Sequence, residues 1–210
     1  MKWKMWIGRA GVALAGAACV VLAVFGQFAV QCDGIRSSVV RLHIMAHSDA
    51  ADDQALKLAV RDAVTAASSG LLDGVTDAAG ALAAAEAALP QLVEVAQQTV
   101  YAHGYDYPVS AALCRMYFET RTYGEGETVT LPAGLYDAVR FTIGEGQGKN
   151  WWCVVFPPLC VAAATEVERM DDVLDAQQSD IVAHAERYEV RFKVVEWWES
   201  LCESVRGWFS

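Results

Sequence analysis

The sequence predicts an α+β domain: a mainly antiparallel sheet with helices packed on one face, preceded by an N-terminal membrane-spanning or signal helix. Three observations predict it. Apolar residues alternate with polar ones in short runs near 38–46, 109–117, 139–143 and 151–156, the period of a half-buried strand. Between the first and second runs the apolar residues keep helical spacing instead. Ahead of all of them, Gly11 to Val30 carries no charge, and twenty such residues can cross a bilayer as a helix.

The elements follow in order. Val40, Leu42, Ile44 and Ala46 alternate with Arg41, His43 and Met45, which predicts a strand. Ser48 and Asp49 are helix-capping types, and Asp52 and Asp53 fall in the first turn, where the helix dipole favours acid. That helix runs to about Ala67, with Leu56, Val60 and Val64 on one face. A second, alanine-rich helix spans Asp77 to His103, stopped by Gly104. Pro90 lacks a backbone N–H and predicts a kink or a division there. Strands follow at 109–117 and 128–131, with a loop over Arg121–Gly126 between them. Leu131-Pro132-Ala133-Gly134 fits a tight turn. A glycine-rich hairpin loop, Gly144 to Gly148, separates the strands at 139–143 and 151–156. Residues 166–188 read as polar and helical in part. A helix over 194–208 carries Trp198, Leu201 and Trp208 on one stripe, and Glu189–Lys193 fits either a strand or a helix.

The charge divides along the same lines. The net charge is −10, yet Lys2, Lys4 and Arg9 open the chain without an acid, so everything after residue 30 carries −13. The basic flank predicts that the start stays in the cytoplasm and the remainder is exported. No clean small-residue cleavage site stands around Phe25 to Ala29, and the run exceeds a usual signal core, which favours a retained anchor over a cleaved signal. The chain thus divides into a start and apolar segment at 1–32 and an exported domain at 36–210. An acidic body argues against nucleic acid, whose phosphates need lysine and arginine.

Few patterns carry chemistry. His43 and His47 have the spacing of a helical metal pair, but on a strand they stand about 13 Å apart, too far to share an ion. Gly144 to Lys149 has too few residues between its glycines, and Asn150 where a phosphate loop needs Ser or Thr. Cys153 with His43 or His103 is the arrangement a nucleophilic enzyme would need, but Cys153 sits in an apolar run, where burial blunts a thiol. No cofactor, metal or small-molecule substrate is expected. Cys153 and Cys160 flank the bend at Pro157-Pro158, so a disulfide closing it is feasible in an exported protein. The bland alternative for that pair is two buried thiols; Cys114 and Cys202 read as packed free thiols, though each is an alternative partner. Trp197, Trp198 and Trp208 serve either core packing or docking onto a receptor or membrane boundary.

Three stretches together resemble a known family. The first is Arg41-Leu42-His43-Ile44 through Ser48-Asp49 into Asp53-Gln54-Ala55-Leu56-Lys57-Leu58. The second is Arg121-Thr122-Tyr123-Gly124 with Leu131-Pro132-Ala133-Gly134. The third is Gly148-Lys149-Asn150-Trp151-Trp152-Cys153 through Pro157-Pro158-Leu159-Cys160. They resemble the stage II sporulation protein R family, over roughly Arg41 to Trp208. The resemblance implies a non-enzymatic signal of endospore formation, made in the forespore and exported to the intermembrane space. There it would activate a membrane-embedded aspartic protease of the mother cell that cleaves the sigma-E precursor. Partner contacts would come from Arg41, His43, Ser48, Asp49, Arg121, Tyr123, Asn150, Trp151, Trp152, Pro157 and Pro158. An extracytoplasmic hydrolase acting on cell wall and a structural protein of the septum are the alternatives.

Overall fold

A computed structural model describes residues 2–68, 70–124, 128–157 and 170–209. Helix α1 runs unbroken over Lys2–Ser37. Strand β1 (Val40–Met45) follows, then helices α2 (Ala51–Ser68) and α3 (Ala78–Ala102). Strands β2 (Val109–Phe118), β3 (Arg121–Tyr123), β4 (Val129–Leu131), β5 (Gly134–Ile143) and β6 (Asn150–Phe156) come next. Helices α4 (Ala176–Ala183) and α5 (Glu189–Phe209) close the chain.

The class is the α+β expected. The main sheet has the order β2-β5-β1-β6, and β3 and β4 form a separate ribbon. Within the main sheet, β1 pairs antiparallel with β6 and β5 antiparallel with β2, but β1 and β5 run parallel. The glycine-rich connection from β5 to β6 is therefore not a hairpin loop. It reaches over the end of β1, which lies between the strands it joins.

Helices cover both faces rather than one. On the first face, Leu42, Ile44, Val139, Phe141 and Ile143 pack against α2 and α3 through Leu56, Val60, Leu92 and Ala96. On the second, Phe118, Tyr136, Ala138 and Val154 pack against Phe28, Cys32 and Ile35 of α1, Ile181 of α4 and Phe192 and Val195 of α5. The reason lies in β5, where Tyr136 and Ala138 are as buried as Val139 and Phe141 on the opposite face. A strand apolar on both sides needs two covering layers. The body's core thus begins at Phe28, ahead of the division drawn at residues 32–36.

Other local expectations change for physical reasons. Pro90 lies inside α3, which continues through it. Its missing N–H frees only the carbonyl of Glu86, and both residues are exposed to water. Arg121–Tyr123 is a strand paired with β4 rather than a loop. Glu189–Lys193 belongs to α5, whose Phe192 and Val195 face the core. Two described helices are long and apolar enough to cross a membrane, the Cys19–Ser37 part of α1 and α3. Helix α3 is a core helix, held on the sheet through Ala85, Leu92, Ala96 and Val100.

Candidate functional site

Arg121, Lys149, Asn150, Trp151 and Trp152 line an open cleft of about 560 Å³ at the β6 end of the sheet. Strand β3 supplies Arg121, and β6 supplies Asn150, Trp151 and Trp152. The connection before β6 presents Lys149. That connection is locked to the end of β1 by backbone bonds from Gln147 N–H to His47 O (3.2 Å) and from Gly148 N–H to Ala46 O (3.0 Å). Position 148 must be glycine, because a Cβ there would meet the Ser48 carbonyl oxygen at 2.1 Å. Gly144 turns the chain with φ +57°, a left-handed conformation that glycine adopts without strain.

Ser48 and Asp49, expected to touch a partner, hold this connection in place. Lys149 N–H donates to Asp49 Oδ1 at 2.7 Å, and the Ser48 hydroxyl donates to the Asp53 carboxylate in the first turn of α2. Lys57, nearly buried on α2, donates from Nζ to Lys149 O at 2.9 Å and to Gln54 Oε1 at 2.7 Å. Burial lowers the Lys57 pKa, with the Asp49 charge opposing.

Beneath the cleft lies an aromatic layer. The Arg121 guanidinium stands 4.7 Å over the Trp152 ring, a cation–π distance. Trp152 meets Phe118 edge-on at 5.4 Å and His43 at 6.0 Å. On the other face of β6, Arg61 of α2 lies 4.4 Å over Trp151.

Arg41 and His43 do not form a surface. Strand β1 is flanked on both sides and covered on both faces, so Arg41 is fully buried and His43 is 3% exposed. The Arg41 guanidinium lies 4.2 Å from the Phe118 ring and 4.9 Å from the Tyr136 ring, and donates to the Tyr123 hydroxyl. Among the described residues no carboxylate pairs with it. Burial lowers the Arg41 pKa and raises those of Tyr123 and Tyr136, while the attraction between them opposes each shift. Tyr136 Oη in turn donates to Pro132 O at 2.6 Å, bracing the turn into β5. Burial also holds His43 below its usual pKa, opposed by the neighbouring Asn150 side chain and reinforced by the Arg140 charge.

The arrangement a nucleophilic enzyme would need does not assemble. Cys153 pairs with Leu42 and faces α2 and α3, whereas His43 pairs with Trp152 on the opposite face. His103 caps α3 on the surface, its Nδ1 2.8 Å from Thr99 O. His47 stacks on Tyr107 at 4.1 Å instead of joining His43. Among the described residues no group of three or more His, Cys, Asp or Glu side chains could hold a metal ion. Pro157 is buried at the end of β6; Pro158 and Cys160 lie outside the described residues. In the terminal helix Phe192 and Val195 enter the core, while Trp197 and Trp198, considered for core packing or docking, stay more than half exposed.

The cleft therefore unites Arg121, Asn150, Trp151 and Trp152, leaves Tyr123 and Arg41 behind it, and adds Lys149. The sequence signal for Lys149 was its place directly before Asn150-Trp151-Trp152, in the run most typical of the resemblance. A family model described as stage II sporulation protein R matches residues 36–166. The chain belongs to the stage II sporulation protein R family. The protein of that name from Bacillus subtilis (strain 168) is 32% identical over 184 residues, covering 78% of this chain and 81% of that protein. No solved structure matches the chain. Every residue lining the cleft falls within the span matched by the stage II sporulation protein R model. Membership gives the chain a role in sporulation, and the apolar part of α1 is compatible with a signal or a membrane anchor.

Proposed function

We propose that this sporulation protein is an exported signal. Made in the forespore, it acts from the intermembrane space on a membrane-embedded aspartic protease of the mother cell, which then cleaves the sigma-E precursor. The observation that carries this reading is the cleft. Two stretches typical of the family, Arg121–Tyr123 and Lys149–Trp152, lie apart in sequence and meet in one open, basic and aromatic recess. The body around them is acidic, so the cationic recess is the place where an acidic partner segment would find complementary charge. Half-buried tryptophan and arginine are residue types enriched among those that dominate binding energy at protein interfaces.

Within this reading Arg121, Asn150, Trp151 and Trp152 touch the partner, while Pro157, buried after β6, supports that strand from behind. Ser48, Asp49 and Tyr123 position them, and Arg41 and His43 support the layer below. A Cys153–Cys160 disulfide belongs to the same proposal. Cys19, Cys32, Cys114 and Cys202 are free thiols while Cys153 is not one of them, and the intermembrane space permits the bond.

The test is an immunoblot of the sigma-E precursor in a sporulating host lacking this gene. Uncleaved precursor, restored to processing by the intact chain but not by a folded Arg121→Ala/Lys149→Ala variant, supports the reading. Normal processing in the deletion strain refutes it and brings forward the hydrolase or septal role. A septal role is then recognised by a septum defect, and a hydrolase by turnover of cell-wall material.

A further inference from the structure

Helix α1 combines features that a removable leader does not. Its early part is charge-free from Gly11 to Val30 and follows Lys2, Lys4 and Arg9. Along it Val20, Val21 and Leu22 are 64%, 52% and 72% exposed. Such a continuous apolar surface is stable in a bilayer and unfavourable in water. Its later part is core. Phe28, Cys32 and Ile35 are essentially buried. The Phe28 ring stacks on Tyr188 at 5.7 Å and meets Phe192 edge-on at 5.4 Å. Arg36 donates from Nη1 to Ala133 O at 2.6 Å and pairs through Nη2 with Asp33 and Glu199. Gly34 lies so close to Gln178 of α4 that a Cβ would meet its Nε2 at 2.2 Å. One uninterrupted helix joins the two parts.

A leader peptidase must reach the peptide just beyond the apolar run. Here that peptide is helical and built into the body. We propose that α1 is kept whole, as membrane anchor and core element at once, and that it seats the body directly on the outer face of the membrane. The charge-free stretch before Phe28, Gly11 to Gln27, rises about 25 Å at ~1.5 Å per residue, close to the ~30 Å hydrocarbon thickness. The membrane boundary therefore falls within about one helical turn of the buried Phe28. No flexible linker separates bilayer from domain, and the occupant of the exposed α1 surface is lipid. This holds whether or not the mother-cell protease is the partner.

The test is intact-mass spectrometry of the full chain recovered from sporulating cells, together with alkaline carbonate extraction of their membranes. The expected result is the full-length mass, pelleting with membrane. A soluble body starting before Phe28 overturns anchoring, and one starting after Phe28 that remains folded overturns the core role as well. A second measurement separates the roles: in detergent, Phe28→Ala lowers the melting midpoint of the full chain by on the order of 10 °C, while Val21→Ala leaves it unchanged. Equal shifts would overturn the division of α1. None of these readouts involves sigma-E, so the signalling reading stands or falls separately.

Discussion

The two faces of the sheet solve different problems. Against α2 and α3 the sheet presents aliphatic and phenyl groups, and the helices answer with leucine, valine and alanine. Against α1, α4 and α5 it buries an arginine, a histidine and a tyrosine among aromatic rings. Arg41 and His43 sit under the cleft, whereas the charges buried on the other side, Asp53 and Lys57, belong to α2 and hold the connection that carries Lys149. The comparison teaches that, Arg36 of α1 apart, buried charge gathers near the site, and that the site rests on an aromatic layer rather than on loops alone.

The largest expected effect breaks the first face. Phe141→Ala removes a fully buried ring between β5 and the helices and should cost about 3–5 kcal/mol, measured by denaturant unfolding. Gly148→Ala comes next. Its Cβ would strike the Ser48 carbonyl, displacing the connection that carries Lys149. A cost of roughly 1–3 kcal/mol with signalling lost in a still folded protein is the expected outcome; unchanged sigma-E processing would show that the cleft does not depend on this fit.

Arg41→Met tests the second face. The residue is close in volume and removes a buried cation that has no carboxylate partner among the described residues, so stability should change by less than about 1.5 kcal/mol. Signalling should survive, because Arg41 reaches no surface. Arg121→Ala is the converse. It is half exposed and should cost no more than ~1 kcal/mol, yet abolish partner binding in a pull-down. If the two variants behaved alike in signalling, the distinction between layer and cleft would fail.

The smallest effect is a pH dependence. His43 is held below its ordinary pKa of 6.5 by burial, so the unfolded chain takes up its proton first as pH falls. Stability is therefore full above about pH 6.5 and declines as pH drops from there through the folded pKa. His43→Gln should flatten that part of the curve in thermal melts at a series of pH values.

Much of the first face was legible. Leu42 and Ile44, Val139 to Ile143, and the stripes of α2 and α3 each announce their period. The second face was harder, because Arg41 and His43 alternate with aliphatics as a solvent-facing row would. The insertion of β1 between β5 and β6, together with the layer covering that face, buries them, and no local pattern encodes that parallel pairing. The same holds for Arg121: its partner strand and the tryptophan beneath it are tertiary facts. Pro90, where it suggested a division of the helix, misleads for the opposite reason. Its local rule is sound, but the packed stripe on the far side of α3 outweighs one missing hydrogen bond.

The place of β1 also sets an order of events. It is synthesised before every strand it joins, and its neighbours are the latest in the chain: Val40 pairs with Asp137 on one side and with Phe156 on the other. Closing so long a loop is slow. Until β5 and β6 arrive, a strand that ends up buried on both faces waits unpaired beside the membrane helix that precedes it. The centre of this sheet is begun first and completed last.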